Sequence, residues 1–356
     1  MSWRDGVHIT GTPIWCDARR RRDVCFLSSA DRVGRAGHGQ LIATPLTLAL
    51  LGVRDQGHLA VPLRQRFTLG TLRLELIPSG RGFGAAALHV DIAGKTVLHA
   101  GAVRTAAGGV SDAAELRTCD ALVVAAPYGE AEHRFPALGG AIDATIDWAR
   151  VTLASERRPV LLVDSVLDGL EVASRLGAEG IPIAGPRALR EAGQRIADLV
   201  RPYQHQPALL QPAAGPTALA APSRIAAASS PDSQRTALAP GAIAIPPIAA
   251  PGREPRAIVW LDADRAGLAR AAGDRAIATA LVSARAAAGT AGHDAGFAWA
   301  AAADRAQLLS WIEATGARDV FVTGACAEAI VSALGARARV LGPPQQMSLF
   351  PHEAFT

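Results

Sequence analysis

Nine histidines and four cysteines are the side chains of this 356-residue chain best suited to hold a transition metal or to act as soft nucleophiles. A structural or catalytic zinc centre draws its ligands in closely spaced pairs, because a helix turn or a hairpin must aim two donors at one ion. Cys16, Cys25, Cys119 and Cys326 stand far apart with no CxxC pair, so neither a zinc ribbon nor a disulfide scaffold is expected, and buried free thiols are the expectation. His8, His38, His58, His89, His99, His133, His205, His293 and His352 offer no pair at metal-ligand spacing on one element. No Ser-His-Asp set stands out either. Phosphate chemistry has one candidate: Arg19-Arg20-Arg21-Arg22 is the densest basic run, open to reading as a solvated turn or as a phosphate-binding patch. Lys95 is the sole lysine, so the net charge of +4 is carried by arginine, and the pI near 9.2 permits contact with nucleic acid without demanding it.

The elements that must position these groups follow from length and periodicity. A chain of this size with 49% apolar residues has ample means to bury a core, and wholesale disorder is excluded. No apolar run reaches the ~18 residues of a membrane helix. No basic segment followed by an apolar core opens the chain, so no secretory signal is read and a cytoplasmic location is expected, with no membrane partner. Short β-rich runs dominate the first part: Val24 to Leu27, Thr71 to Ile77, Ala87 to Asp91, Thr96 to His99 and Ala121 to Ala125. Pro45 to Leu51 reads as a short helix opened by proline after Thr44. Strand–helix alternation then sets in, with helices over Ala141 to Leu153, Val166 to Leu176 and Pro186 to Val200 around a strand at Pro159 to Val163, which predicts a parallel α/β layer. Gln204 to Arg256 holds ten prolines among Ala, Ser and Gln and reads as a flexible insertion. Strands follow at Ala257 to Leu261, Ala280 to Val282, Val320 to Thr323 and Ala338 to Leu341, with helices at Ala303 to Thr315 and Cys326 to Leu334. Gly342-Pro343-Pro344 breaks the pattern and the final residues read as a tail.

Gly6-Val7-His8-Ile9-Thr10-Gly11-Thr12-Pro13-Ile14-Trp15-Cys16-Asp17-Ala18-Arg19-Arg20 resembles the opening of metallo-β-lactamase-fold nucleases of the β-CASP group, closest to bacterial ligase-associated or mRNA 3′-end-processing-like exonucleases. Asp120 to Tyr128 with Arg134-Phe135-Pro136, Ala278 to Ser283, and Gly316 to Thr323 are similar to later family segments, in the same order. Active members hold two zinc ions, which generate hydroxide and steady phosphate oxygens. At the ligand positions that the resemblance implies, this chain has Ser29 for the first histidine, a two-residue contraction at the second, Asp31 retained, and Arg32 for the last of that turn. Arg81 stands in the Pro-x-Gly-His turn, Ala102 at the bridging aspartate, Ala302 in the Ser-Asp-His-Ala-Asp stretch, and Gly324 at the terminal histidine unless that position is deleted after Thr323. His8 and His99 border family motifs without replacing a ligand. What the resemblance implies is a degenerate member: the nuclease fold with no metal, no cofactor and no catalytic residue. Arg32 and Arg81 then either pair with Asp31 and hold loops together, as metal would, or contact a backbone phosphate.

Gln346-Met347-Ser348-Leu349-Phe350, after the Pro-Pro break, resembles the bacterial sliding-clamp-binding peptide, in which a Gln makes polar contacts and a Leu-Phe pair enters an apolar groove. The expected fold is α/β: an αββα metallo-β-lactamase sandwich from residues 1–125 and 285–342, a β-CASP-like insert over 126–284 with a disordered stretch at 204–256, and a tail at 343–356. The expected function is a non-catalytic, exonuclease-like pseudoenzyme of DNA replication or repair, bound to the sliding clamp and holding DNA or other repair proteins. Two alternatives stand beside it: an active metal-dependent DNA or RNA exonuclease with an atypical site, and a partner subunit of an active relative.

Overall fold

The computed structural model describes residues 1–31, 37–53, 57–204, 245–252, 254–272, 276–290 and 292–343. It is an α/β protein built on three sheets. The first runs in chain order through β1 (Ser2–Trp3), β2 (Val7–His8), β3 (Ile14–Cys16), β4 (Val24–Phe26), β5 (Gln40–Ala43) and β6 (Leu59–Ala60). The second has the order β19-β18-β11-β10-β9-β8-β7. In it β7 (Arg66–Leu69), β8 (Leu72–Pro78), β9 (Ala86–Ile92) and β10 (Lys95–Ala102) form an antiparallel meander. β11 (Ala121–Ala125), β18 (Asp319–Thr323) and β19 (Ala338–Val340) extend it in parallel.

Alternation along each strand explains why these two sheets stack. Successive side chains of a strand point to opposite faces. In β8, Leu72, Leu74 and Leu76 join a core with Phe26 and Ile42 of the first sheet, while Ile77 turns to the opposite face. On that face α6 (Arg305–Ala314) and α7 (Ala327–Leu334) bury Leu308, Trp311, Ile312 and Ile330 against Leu98, Leu122 and Val124. The outer face of the first sheet, with Cys25, Leu27, Leu41 and Ala43, is covered by Leu48 of α1 (Pro45–Leu51). That helix starts as expected: Thr44 caps it by accepting from the Thr47 amide, and Pro45 occupies the first turn. The resulting layers run helix, sheet, sheet, helix.

The third sheet, built from β12 (Arg158–Val163), β13 (Ile183–Ala184), β14 (Ile248–Ala249), β15 (Ala257–Leu261), β16 (Ile277–Val282) and β17 (Ala295–Phe297), is wholly parallel, in the order β14-β13-β15-β12-β16-β17. Its central strands, β12 (Arg158–Val163) and β15 (Ala257–Leu261), are buried on both faces, as parallel strands must be. Leu161, Val163 and Val259 pack under α2 (Leu138–Ala154), α3 (Val166–Ala178) and α4 (Arg187–Gln204). Val160, Leu162, Ile258 and Trp260 meet Leu268 of α5 (Arg265–Ala272) on the other face. Leu46 and Leu50 of α1 and Phe83 join the α2–α4 core, which seats this layer on the sandwich.

Two expected boundaries need correcting. β16 (Ile277–Val282) pairs with β17 (Ala295–Phe297), and Trp299 still belongs to the third layer's core, so the chain stays in that layer through Trp299, beyond residue 284. A three-residue strand reading Ala-Gly-Phe leaves no periodicity to detect. The stretch expected to be disordered over 204–256 also carries order at its C-terminal side. Ile245 and Ile248 pack on the core, and β14 (Ile248–Ala249) pairs with β13 (Ile183–Ala184). Two isoleucines flanking Pro246-Pro247 suffice to anchor a bridge that bulk composition hides. Residues 205–244, Arg32 and the clamp-like peptide lie outside the described residues.

Phe26, fully buried between the stacked sheets, should be among the costliest truncations: Phe26→Ala is expected to lower unfolding free energy by about 3–5 kcal/mol in urea titration.

Candidate functional site

In a parallel sheet, groups following the carboxyl ends of the strands face the crevice where ligands sit. Asp164 follows β12, Asp262 follows β15 and Ser283 follows β16, so three polar side chains gather at one edge of the third layer. Ser165 caps α3 by accepting from the Asp168 amide at 3.1 Å, which fixes Asp168 in the first turn. Opposite, the second sheet delivers Arg81 through the turn after β8. Only glycine suits position 80: its φ is +78°, and a Cβ there would lie 2.2 Å from the Arg104 carbonyl oxygen.

A cleft of about 130 Å³ lies between these elements, lined among others by Asp31, Arg81, Ala102, Tyr128, Asp168 and Ala302. Arg81 dominates it. Its Nη2 donates to Asp31 Oδ2 at 2.6 Å and its Nη1 to Asp168 Oδ1 at 2.7 Å, with only 12% of the side chain exposed. Burial alone would lower the guanidinium's pKa, but the carboxylates of Asp168 and Asp31 overcome it and raise it. A second arginine bridge lies deeper. Arg104 pairs with Glu171: Nη1 donates to Oε2 at 3.0 Å, while Nη2, which donates to Ser111 Oγ, lies 2.9 Å from Oε1, with both charged side chains buried. Burial pushes the Glu171 carboxyl above its usual range despite Arg104. Asp168 and Glu171 are three residues apart on α3 and so share one helix face. At the cleft's far side Arg285 pairs with Asp164 and, at 2.9 Å, with Asp262, and Ser283 donates to Asp164. Burial would raise the Asp262 pKa, but hydrogen bonding from Arg285 and the charge of Arg265 bring it down.

The sequence-derived positions converge in part. Asp31, Arg81, Ala102 and Ala302 line one cleft, where Ala102 and Ala302 stand beside Tyr128 and pack on Ala125 behind. Ser29 is buried and donates to Asp31 Oδ1, so it orients that carboxylate. Gly324 follows β18 at φ +100°, where a Cβ would press on the Ala126 backbone. Of the two readings for Arg81, pairing with Asp31 is the one the geometry realises. His8 lies away from the cleft, bonded to the Thr12 carbonyl and stacked on Trp15. His99 lies in the interior, its Nε2 3.2 Å from Asp17 Oδ2. Asp17 also accepts from the Ser28 amide and hydroxyl, at 2.8 and 2.7 Å. Burial raises the Asp17 pKa, but the His99 and Ser28 bonds outweigh it and hold the carboxyl below its usual range. Both Ser28 and His99 contact the aspartate, so the histidine is not bonded to the serine as a general base. Among the described residues no group of three His, Cys, Asp or Glu side chains converges as a metal cage.

Sequence reasoning missed Asp164, Asp168, Asp262, Ser283 and Arg285. One signal was available: Val163-Asp164-Ser165, an acid and a helix cap directly after a buried strand, marks the carboxyl edge of a parallel layer. No protein-family model matches this chain, and no curated protein matches it.

Removing Arg81 leaves two carboxylates facing each other. Arg81→Ala is expected to cost about 3 kcal/mol by chemical denaturation, with Arg81→Lys recovering only part, since one ammonium cannot fork between Asp31 and Asp168. Asp17 supplies the pH dependence. Because its pKa is lower folded than unfolded, it stabilises the protein above the ordinary carboxylate value, and this contribution is lost as pH falls through the folded value. Asp17→Asn should therefore be less stable at neutral pH and lose less stability than the parent below about pH 4, measured by acid titration of the thermal midpoint.

Proposed function

We propose that this chain is a nuclease-derived, non-catalytic scaffold of DNA replication or repair, carried on the bacterial sliding clamp by Gln346-Met347-Ser348-Leu349-Phe350. The observation that carries the reading is Arg81. It stands at a position where the resemblance to β-CASP nucleases puts a zinc-binding histidine, and it commits both Nη groups to carboxylates of its own chain. A guanidinium is permanently charged and planar, so it ties carboxylates together as a metal ion does, while offering no open coordination position for water. Asp31 belongs to the sandwich and Asp168 to the inserted layer, so the pairing serves cohesion between them. Ala102 and Ala302, at two further ligand positions of the resemblance, add apolar wall instead of donors. The layer order of the sandwich, helix-sheet-sheet-helix, with an α/β layer inserted after β11, supports the same family reading.

The pentapeptide supplies the partner. Leu349 and Phe350 supply the apolar anchors and Gln346 the polar contact that an apolar groove with a polar rim accepts, and Met347 keeps the size and apolarity of the usual leucine. The full chain is expected to co-elute with the sliding clamp, and Leu349→Ala with Phe350→Ala to abolish the complex. Arg81→Ala should leave the complex intact. A complex that survives loss of both anchors, or strand cutting by the purified protein that a chelator stops, would overturn the proposal.

A further inference from the structure

The arginine run left unexplained by the cleft sits in an ordered and unusual place. Residues 17–23 join β3 to β4, and the chain is tied down at both ends of the run: the Arg19 amide donates to the Asp5 carbonyl at 2.6 Å, and the Gly39 amide donates to the Arg22 carbonyl at 2.8 Å. The neighbouring β1–β2 turn is pressed against it, since a Cβ on Gly6 would lie 2.5 Å from Ala18 Cα. Arg22 is consumed in building this platform. Its guanidinium carbon stands 3.7 Å from the Trp15 ring centre, its Nη2 donates to the Arg4 carbonyl at 2.5 Å, and its amide donates to His38 Nδ1. His8 stacks on the same indole.

Arg4, Arg19, Arg20 and Arg21 are left exposed. Arg20 reaches Asp5 at 2.9 Å while its side chain stays 76% exposed. Of the three acids within the two turns, Asp17 is turned inward to Ser28 and His99, so five arginines face Asp5 and Asp23 on one rigid corner. Exposed guanidiniums held this close repel one another, and an external anion relieves that repulsion.

We infer that this corner is a phosphate-backbone contact surface for nucleic acid, separate from the cleft and independent of the clamp tether. Planar guanidiniums bind phosphate oxygens through paired N–H donors, and three on one short turn, with Arg4 on the turn beside it, suit successive phosphates of one strand. Trp15 is occupied by His8 and Arg22, so contact is made through phosphates and is indifferent to base sequence.

The test is fluorescence anisotropy of the full chain with a labelled dT20 oligonucleotide and, separately, a 20-base-pair duplex, from 50 to 200 mM salt. Arg19→Gln with Arg20→Gln and Arg21→Gln should weaken dT20 binding about 100-fold at 0.1 M salt and reduce the log–log salt slope by about 2. For the duplex the slope should fall by about 3. A charge-matched control, Arg66→Gln with Arg187→Gln and Arg318→Gln, removes three side chains that are each more than 80% exposed and scattered over the molecule. It should keep affinity within a few-fold of the parent. Should the triple variant fold poorly, Arg21→Gln alone should still lose about 5-fold on dT20. Equal binding by parent and triple variant, equal loss in the control, or parental binding to phosphatidylserine vesicles with none to either oligonucleotide would each overturn the inference.

Discussion

The arrangement of the whole molecule turns on two arginines of the sandwich meeting two carboxylates on one face of α3. Arg81 clamps Asp168 together with Asp31, and Arg104 pairs with Glu171 one helical turn further along. Neither pair lies on the open surface, so solvent screens them weakly and loss of either partner would strand a charge with no water to receive it. The apolar contacts of Leu46, Leu50 and Phe83 bring the third layer close, but apolar packing has no direction. A charge-assisted hydrogen bond has one, and the bonds from Arg81 and Arg104 join α3, at the carboxyl edge of the third sheet, to the sandwich.

That constraint shapes the cleft. Among the described residues that line it, the ionic groups have partners of opposite sign: Arg81 with Asp31 and Asp168, Arg285 with Asp164 and Asp262. Its apolar lining is alanines with Pro127, Tyr128, Val282 and Trp299. Arg81 spends its charge across two layers, whereas Arg285 ties together the strand ends of the third layer alone. The exposed arginines of the β3–β4 connection present the opposite case, positive charge set on a stiff support and turned outward.

How much of this could be read in the sequence differed by scale. Longer elements announced themselves: the period of Ile142, Ile146 and Ala149 gave α2, Thr44 with Pro45 gave the start of α1, and Pro159 to Val163 gave a buried parallel strand. The two- and three-residue strands β1, β2, β6 and β17 did not, because no period fits in so few residues. At the cleft, Asp31 and Arg81 were visible as a pair in prospect, since a lone acid and a new arginine stood at neighbouring ligand positions of one resemblance. Asp168 was not. It lies 87 residues from Arg81 and meets it only because one helix of the third layer docks on the sandwich, a contact no local pattern encodes.

A double-mutant cycle between Arg81 and Asp168, followed by urea unfolding, measures this linkage most directly. Arg81→Ala, Asp168→Ala and the double variant should give a coupling energy of about 2 kcal/mol, the double variant being far less destabilised than the sum of the singles. Additive losses, with coupling near zero, would mean that the two layers are held by packing alone and that Arg81 is free for another role.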